Sequence, residues 1–162
     1  MHPAFELKKE FPFSESMEAY LEKWIPEKLM QSETLQRAFG LSAEQMEEIY
    51  SDAYSFYQQD CYEQAGKGFR WLVILNPFIA RFWLGLGSCL HLLEKYEKAL
   101  HAYAVVTLLE SQNPLPHFHA FECYEALENM EEAQVALQTA YELSKASDDY
   151  RELREKIEIY HS

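Results

Sequence analysis

Residue types recur every 34 positions along most of this chain, and that period constrains the fold more than any other feature. Ala65, Ala99 and Ala133 fall in register, as do Phe69, Tyr103 and Leu137. Tyr62, Tyr96 and Met130 align, each followed by an acid, Glu63, Glu97 or Glu131. Leu72, Val106 and Ala140 complete a small or aliphatic stripe. Upstream, Ala53, Gly87 and Phe121 coincide, followed by Phe56, Leu90 and Tyr124. Short polar breaks fall at Gln59-Asp60, Glu94-Lys95 and Glu128-Asn129. Each unit therefore reads as two antiparallel helices joined by a tight turn. A single hairpin cannot bury its own apolar face, so the units must stack. Alanine recurs where helices touch, and the residue four positions later fills the space beside it.

The units are 46–79, 80–113 and 114–147, and the pattern resembles the tetratricopeptide repeat. Trp83, Leu86, Gly87, Leu90, Ala99 and Tyr103 of the second unit occupy signature places. In the third unit Phe121 stands where a small residue belongs, which puts the tightness of that helix pair in question. The implied fold is all-α: three tandem tetratricopeptide-like hairpins in a superhelix, with helical additions at both ends.

Two glycines interrupt the helical run RFWLGLGSCLHLL, residues 81–93. Each costs a helix interior up to about 1 kcal/mol relative to alanine. Gly87 falls where the repeat brings two helices close together. Gly85 is not demanded by the repeat; it leaves clearance for a partner's side chain or is inherited without a role. A nucleotide loop is a poor reading, because no strand precedes the pair and Leu90 replaces the third fingerprint glycine.

Residues 1–45 read as a loose arm followed by helical segments that serve self-association. Ser14 or Ser16 can cap a helix running to about Trp24, and a second segment spans Glu27 to Phe39 before Gly40 stops it. Met17, Leu21, Trp24, Ile25 and Leu29 are the candidate dimerisation residues; the alternative is that they pack on the first repeat of their own chain. Ser42 with Gln45 reads as a capping box. At the other end, residues 148–162 form a closing helix, started by Ser147 or Asp148, whose Leu153, Ile157 and Tyr160 pack on the last repeat.

The net charge of −13 over 162 residues repels phosphate backbones and argues against nucleic-acid binding. No apolar run reaches the length of a membrane span, and the start of the chain has no signal-peptide core. Cys61, Cys89 and Cys123 form no CxxC pair and read as free thiols inside helices of a cytoplasmic protein. Aromatic residues make up 15% of the chain, eleven of them tyrosines, a supply suited to a recognition surface.

His117 with His119, and Cys89 with His91, invite a metal reading. Neither pair has i,i+4 spacing, and no HExxH or cysteine-rich cluster exists, so neither metal nor cofactor is expected. No glycine-rich or nucleophile-elbow context supports a catalytic cysteine, and the chain does not read as an enzyme.

The span NPFIARFWLGLGSCLHLLEKYEKALHAY, followed by PHFHAFECYEALENMEEAQ, carries a narrower likeness. The arginine, aromatic pair and LGLG of residues 81–87, with Phe118-His119-Ala120 before Glu122-Cys123, resemble the class II chaperones of bacterial type III secretion. That resemblance implies a cytoplasmic bacterial virulence chaperone. It implies binding of an extended segment of hydrophobic translocator proteins along the concave face of three repeats, keeping them soluble and export-competent. It further implies self-association as a homodimer. The alternative reading is a tetratricopeptide adaptor recognising a short peptide of a soluble partner.

On such a fold the first helix of each repeat lines the concave side, at places two, five, nine and twelve of the unit. The expected contact residues are Glu47, Tyr50, Tyr54 and Tyr57; Arg81, Leu84, Ser88 and His91, with Gly85 beside them; and Leu115, Phe118, Glu122 and Glu125. Together they offer apolar pockets and hydrogen-bonding groups for a peptide backbone. Plainer roles exist for the same residues. The tyrosines can be packing residues, Leu84 and Phe118 core, Glu122 a solvated carboxylate and Arg81 the partner of a neighbouring acid.

Overall fold

Ser42 opens the first long helix by the expected capping box. Its hydroxyl accepts from the Gln45 backbone N–H at 3.1 Å, and the Gln45 side chain accepts from the Ser42 N–H at 2.9 Å. The computed structural model describes residues 34–161. Within them α1 is Leu35–Ala38, α2 Ala43–Gln58, α3 Tyr62–Leu75, α4 Ala80–Leu92, α5 Tyr96–Leu109, α6 Leu115–Ala126 and α7 Met130–Ser144. A 3-10 turn, Asp148–Tyr150, then leads into α8, Arg151–His161. Every regular element among the described residues is helical, as the repeat requires.

The hairpins are α2/α3, α4/α5 and α6/α7. The first begins at Ala43, three residues ahead of the repeat's arithmetic, because the cap sits at Ser42. Cys61 lies in the turn just before α3 rather than inside a helix. The proposed helix ending near Trp24 and the candidate interface residues Met17, Leu21, Trp24, Ile25 and Leu29 lie outside the described residues. Of the segment expected over Glu27 to Phe39, the last turn is described: α1, stopped by Gly40 at φ +67°.

All three hairpin turns close the same way. Asp60, Glu94 and Glu128 take left-handed backbone at φ 60°, 59° and 59°. Each is followed by a residue whose N–H reaches back to a helical carbonyl: Cys61 to Phe56, Lys95 to Leu90 and Asn129 to Tyr124, at 2.9, 2.8 and 2.9 Å. This is the Schellman arrangement, which satisfies carbonyls that a helix end leaves unpaired.

Chain contacts divide the molecule after Phe82 into two units. In the first, α2 packs on α3, and Ala53, Ala65, Phe69 and Leu72 are almost wholly buried. In the second, α5 packs on α6, α6 on α7 and α7 on α8. Ala99, Tyr103 and Val106 carry the buried stripe of α5, and Ala133, Leu137 and Ala140 that of α7.

Phe121 shows how the third hairpin manages without a small residue. Its ring is buried and meets Tyr160 of α8 edge-on, with centroids 4.9 Å apart. Ile157 of α8 is fully buried in the same cluster, with Phe118, Leu137 and Ala140, and Leu153 packs at its border. The closing helix thus covers the apolar end of the repeats, and its three expected packing residues do the covering. Arg154 donates to the Ser144 carbonyl at 2.7 Å, holding α8 against the last turn of α7.

Candidate peptide-binding surfaces

In the first unit the expected residues of α2 form an aromatic ladder. Tyr50 and Tyr54 stack with ring centroids 6.2 Å apart and planes 6° from parallel, and Tyr54 and Tyr57 repeat the spacing at 16°. Helical i,i+4 and i,i+3 spacing makes this possible. Tyr54 is 45% exposed, whereas Tyr50 and Tyr57 are half-buried. Tyr50 is also anchored from behind: its ring lies 5.7 Å from that of Phe69 and 5.9 Å from that of Phe82. The ladder is therefore stiff at its base and open at its middle rung.

Arg81 closes the lower end of the ladder. Its guanidinium lies 4.4 Å from the Tyr50 ring centroid. The same fork grips Glu47 with two hydrogen bonds, Nη1 to Oε1 at 3.2 Å and Nη2 to Oε2. Hydrogen bonding to Arg81 holds the Glu47 carboxyl below its ordinary range and raises the guanidinium further. Burial pushes the Tyr50 hydroxyl up, against a smaller opposing pull from the Arg81 charge. The pairing role for Arg81 is realised, and both charged groups remain exposed.

In the second unit Leu84, Gly85 and Ser88 are half-buried along α4, and His91 stands in its last turn. His91 Nδ1 lies 3.3 Å from the hydroxyl of Tyr103, which is itself 1% exposed. From α6, His119 stacks on Tyr103 at 5.4 Å and bonds Glu122 through Nδ1 at 3.0 Å. Lys156 of α8 reaches the other Glu122 oxygen at 3.6 Å. Burial alone would push the Glu122 carboxyl up. The hydrogen bond to His119 and the charges of His119, Lys156 and His91 outweigh it and hold the carboxyl low. Burial pushes the His91 imidazole down, which favours its neutral form.

The remaining expected residues divide clearly. Leu115 is half-buried and Glu125 exposed. Phe118 is 2% exposed and belongs to the core cluster, so it offers no surface to a peptide. Sequence reasoning missed His119 and Lys156 as partners of Glu122. The His119–Glu122 contact was visible as i,i+3 spacing; the Lys156 contact crosses from another helix and leaves no local trace. Cys89 and Cys123 are buried thiols pushed up to about 12 by burial, and so are inert.

These surfaces suit a peptide: flat ring faces for apolar side chains, and hydroxyl, imidazole and carboxylate groups for a backbone. No helix among the described residues is long and apolar enough to cross a membrane.

The tetratricopeptide-repeat family pattern matches residues 46–75 and 82–113. Low calcium response locus protein H of Yersinia pestis is 33% identical over 117 residues, covering 72% of this chain and 70% of that protein. A chain of the CopN-Scc3 complex superposes with a TM-score of 0.79 at 38% identity, covering 93% of this chain and 89% of that one. The type III secretion translocator chaperone SycD of Yersinia enterocolitica superposes with a TM-score of 0.74 at 31% identity, covering 78% of this chain and 95% of SycD. SycD has also been solved as an alternative dimer and with a peptide of the translocator YopD. The chain belongs to the tetratricopeptide-repeat translocator chaperones of type III secretion.

Proposed function

We propose that this chaperone binds an extended segment of a hydrophobic translocator on the first helices of its hairpins and keeps that guest soluble and export-competent. The observation that carries the residue-level reading is the tyrosine ladder of α2, whose middle rung, Tyr54, is exposed while its base is anchored on Phe69 and Phe82. Rigid rings contact a guest at small entropic cost, and their hydroxyls serve its backbone. In the second unit Leu84, Gly85, Ser88, His91, Leu115, Glu122 and Glu125 offer contacts of the same kind. The protein works by binding and not by catalysis. Its place is the bacterial cytoplasm, where translocators await export. It self-associates as a homodimer through Met17, Leu21, Trp24, Ile25 and Leu29.

Co-expression with candidate hydrophobic exported proteins tests the reading. The chain should hold an otherwise aggregating guest in solution and protect one extended fragment of it from protease. Alanine at both Tyr50 and Tyr54 should abolish capture. Unchanged capture by a folded double variant would remove the ladder from the site. A guest that is equally soluble without the chain would make the protein an adaptor. Charged residues at Leu21 and Ile25 should shift sedimentation from dimer to monomer.

A further inference from the structure

His91, His119 and Glu122 come from two hairpins, yet each brings one ligand atom to within 4.8 Å of the others. Each of the two metal pairs tempting in the sequence contributes one member, His119 from the first and His91 from the second. The fold discards the neighbours and joins these two with a carboxylate.

The cluster is held in place from several sides. Tyr103 is buried, its hydroxyl engages His91 Nδ1, and its ring face carries His119. The Tyr103 hydroxyl at Nδ1 fixes the orientation of the His91 ring, as an outer partner does for a ligand imidazole. The rings of His91 and His119 meet edge to face, with centroids 6.2 Å apart. His119 and Glu122 side chains are 30% and 27% exposed, sheltered but open to an entering ion. Two imidazoles and one carboxylate are a ligand set that zinc and similar borderline cations accept, with a fourth position left for water. Tetrahedral ligands about 2 Å from a metal lie roughly 3.3 Å apart, so side-chain rotation closes the remaining gap.

We propose that His91, His119 and Glu122 bind a borderline divalent cation, zinc foremost, which ties the last turn of α4 to α6. The ammonium of Lys156 is the resident competitor. It sits 3.6 Å from Glu122 and 4.5 Å from the Phe118 ring centroid, so it keeps an aromatic resting place when a metal takes the carboxylate.

The test is titration of the tag-free full chain with zinc chloride, without guest, followed by calorimetry and by the shift in thermal midpoint. One zinc per chain is expected, with a raised midpoint. His91→Gln and His119→Gln should each weaken binding at least tenfold and abolish the midpoint shift. Glu122→Gln should weaken it while keeping the side chain's shape. Lys156→Met should strengthen it severalfold, an outcome that loss of folding does not produce. His101→Gln and His117→Gln should leave it unchanged. No zinc binding, or binding that survives in folded His91 and His119 variants, would overturn the assignment. Because no guest is present, failure here leaves the peptide-binding reading untouched.

Discussion

Gly87 and Tyr103 are matched so closely that a Cβ built on Gly87 meets the Tyr103 ring at 2.7 Å. The ring cannot step aside, because it is buried and carries His119 on its face. Gly87→Ala should therefore destabilise the chain by about 1–2 kcal/mol, with overpacking outweighing the helix-propensity gain. A urea-unfolding midpoint reads this directly. Adding Tyr103→Leu should cost less in the Gly87→Ala background than alone, a coupling that a double-mutant cycle measures. The third hairpin follows the same logic in reverse, with Phe121 and Leu137 at the aligned places.

The left-handed turn residues give a gain instead. Glu94 and Glu128 hold a backbone conformation that costs a side chain about 1 kcal/mol and costs glycine almost nothing. Glu94→Gly and Glu128→Gly should each stabilise by roughly 0.5–1 kcal/mol. Asp60→Gly should gain less, because aspartate tolerates this region and its carboxylate accepts from the Tyr62 hydroxyl at 2.7 Å. Thermal midpoints of the three variants should separate in that order.

Tyr50 and Tyr54 should fail differently. Tyr54→Ala removes an exposed rung and should weaken guest binding about tenfold with little loss of stability. Tyr50→Ala should lower both, since that ring also packs on Phe69 and Phe82. Parallel affinity and unfolding measurements distinguish the two.

Ile157 is the buried peg of the closing helix. Ile157→Ala should cost about 2–4 kcal/mol through lost burial and the cavity left behind. Amide exchange in α8 should rise with it, as the helix opens more often.

Thiol reactivity should follow burial. An aromatic disulfide reagent should label Cys61 in the native chain, while Cys89 and Cys123, both fully buried, should wait for unfolding. Prompt labelling of all three would show that the helix pairs of the second unit open readily.

The local parts of this structure were legible in residue order. Ser42 and Gln45 announced a helix start, Gly40 a helix end, and the period of alanine and aromatic positions announced three hairpins. Helix caps and helix faces are written within a few residues, and a repeat writes them again each time. The turn residues Asp60, Glu94 and Glu128 were visible at the same period as polar breaks. Their left-handed backbone was not, because glutamate seldom adopts it and does so at Glu94 and Glu128 under the pull of the Schellman bonds.

What lay beyond sequence reading depends on where separate helices meet. Arg81 finds Glu47, its counterpart one repeat earlier, and Phe118 turns into the core while its helical neighbour His119 meets Tyr103 and Glu122. His91 joins that group from α4, and Lys156 reaches it from α8. Periodicity decides which face of a helix is apolar. Which polar groups converge is decided by the crossing of whole helices, set by packing volumes such as the missing side chain at Gly87, and only the folded chain expresses it.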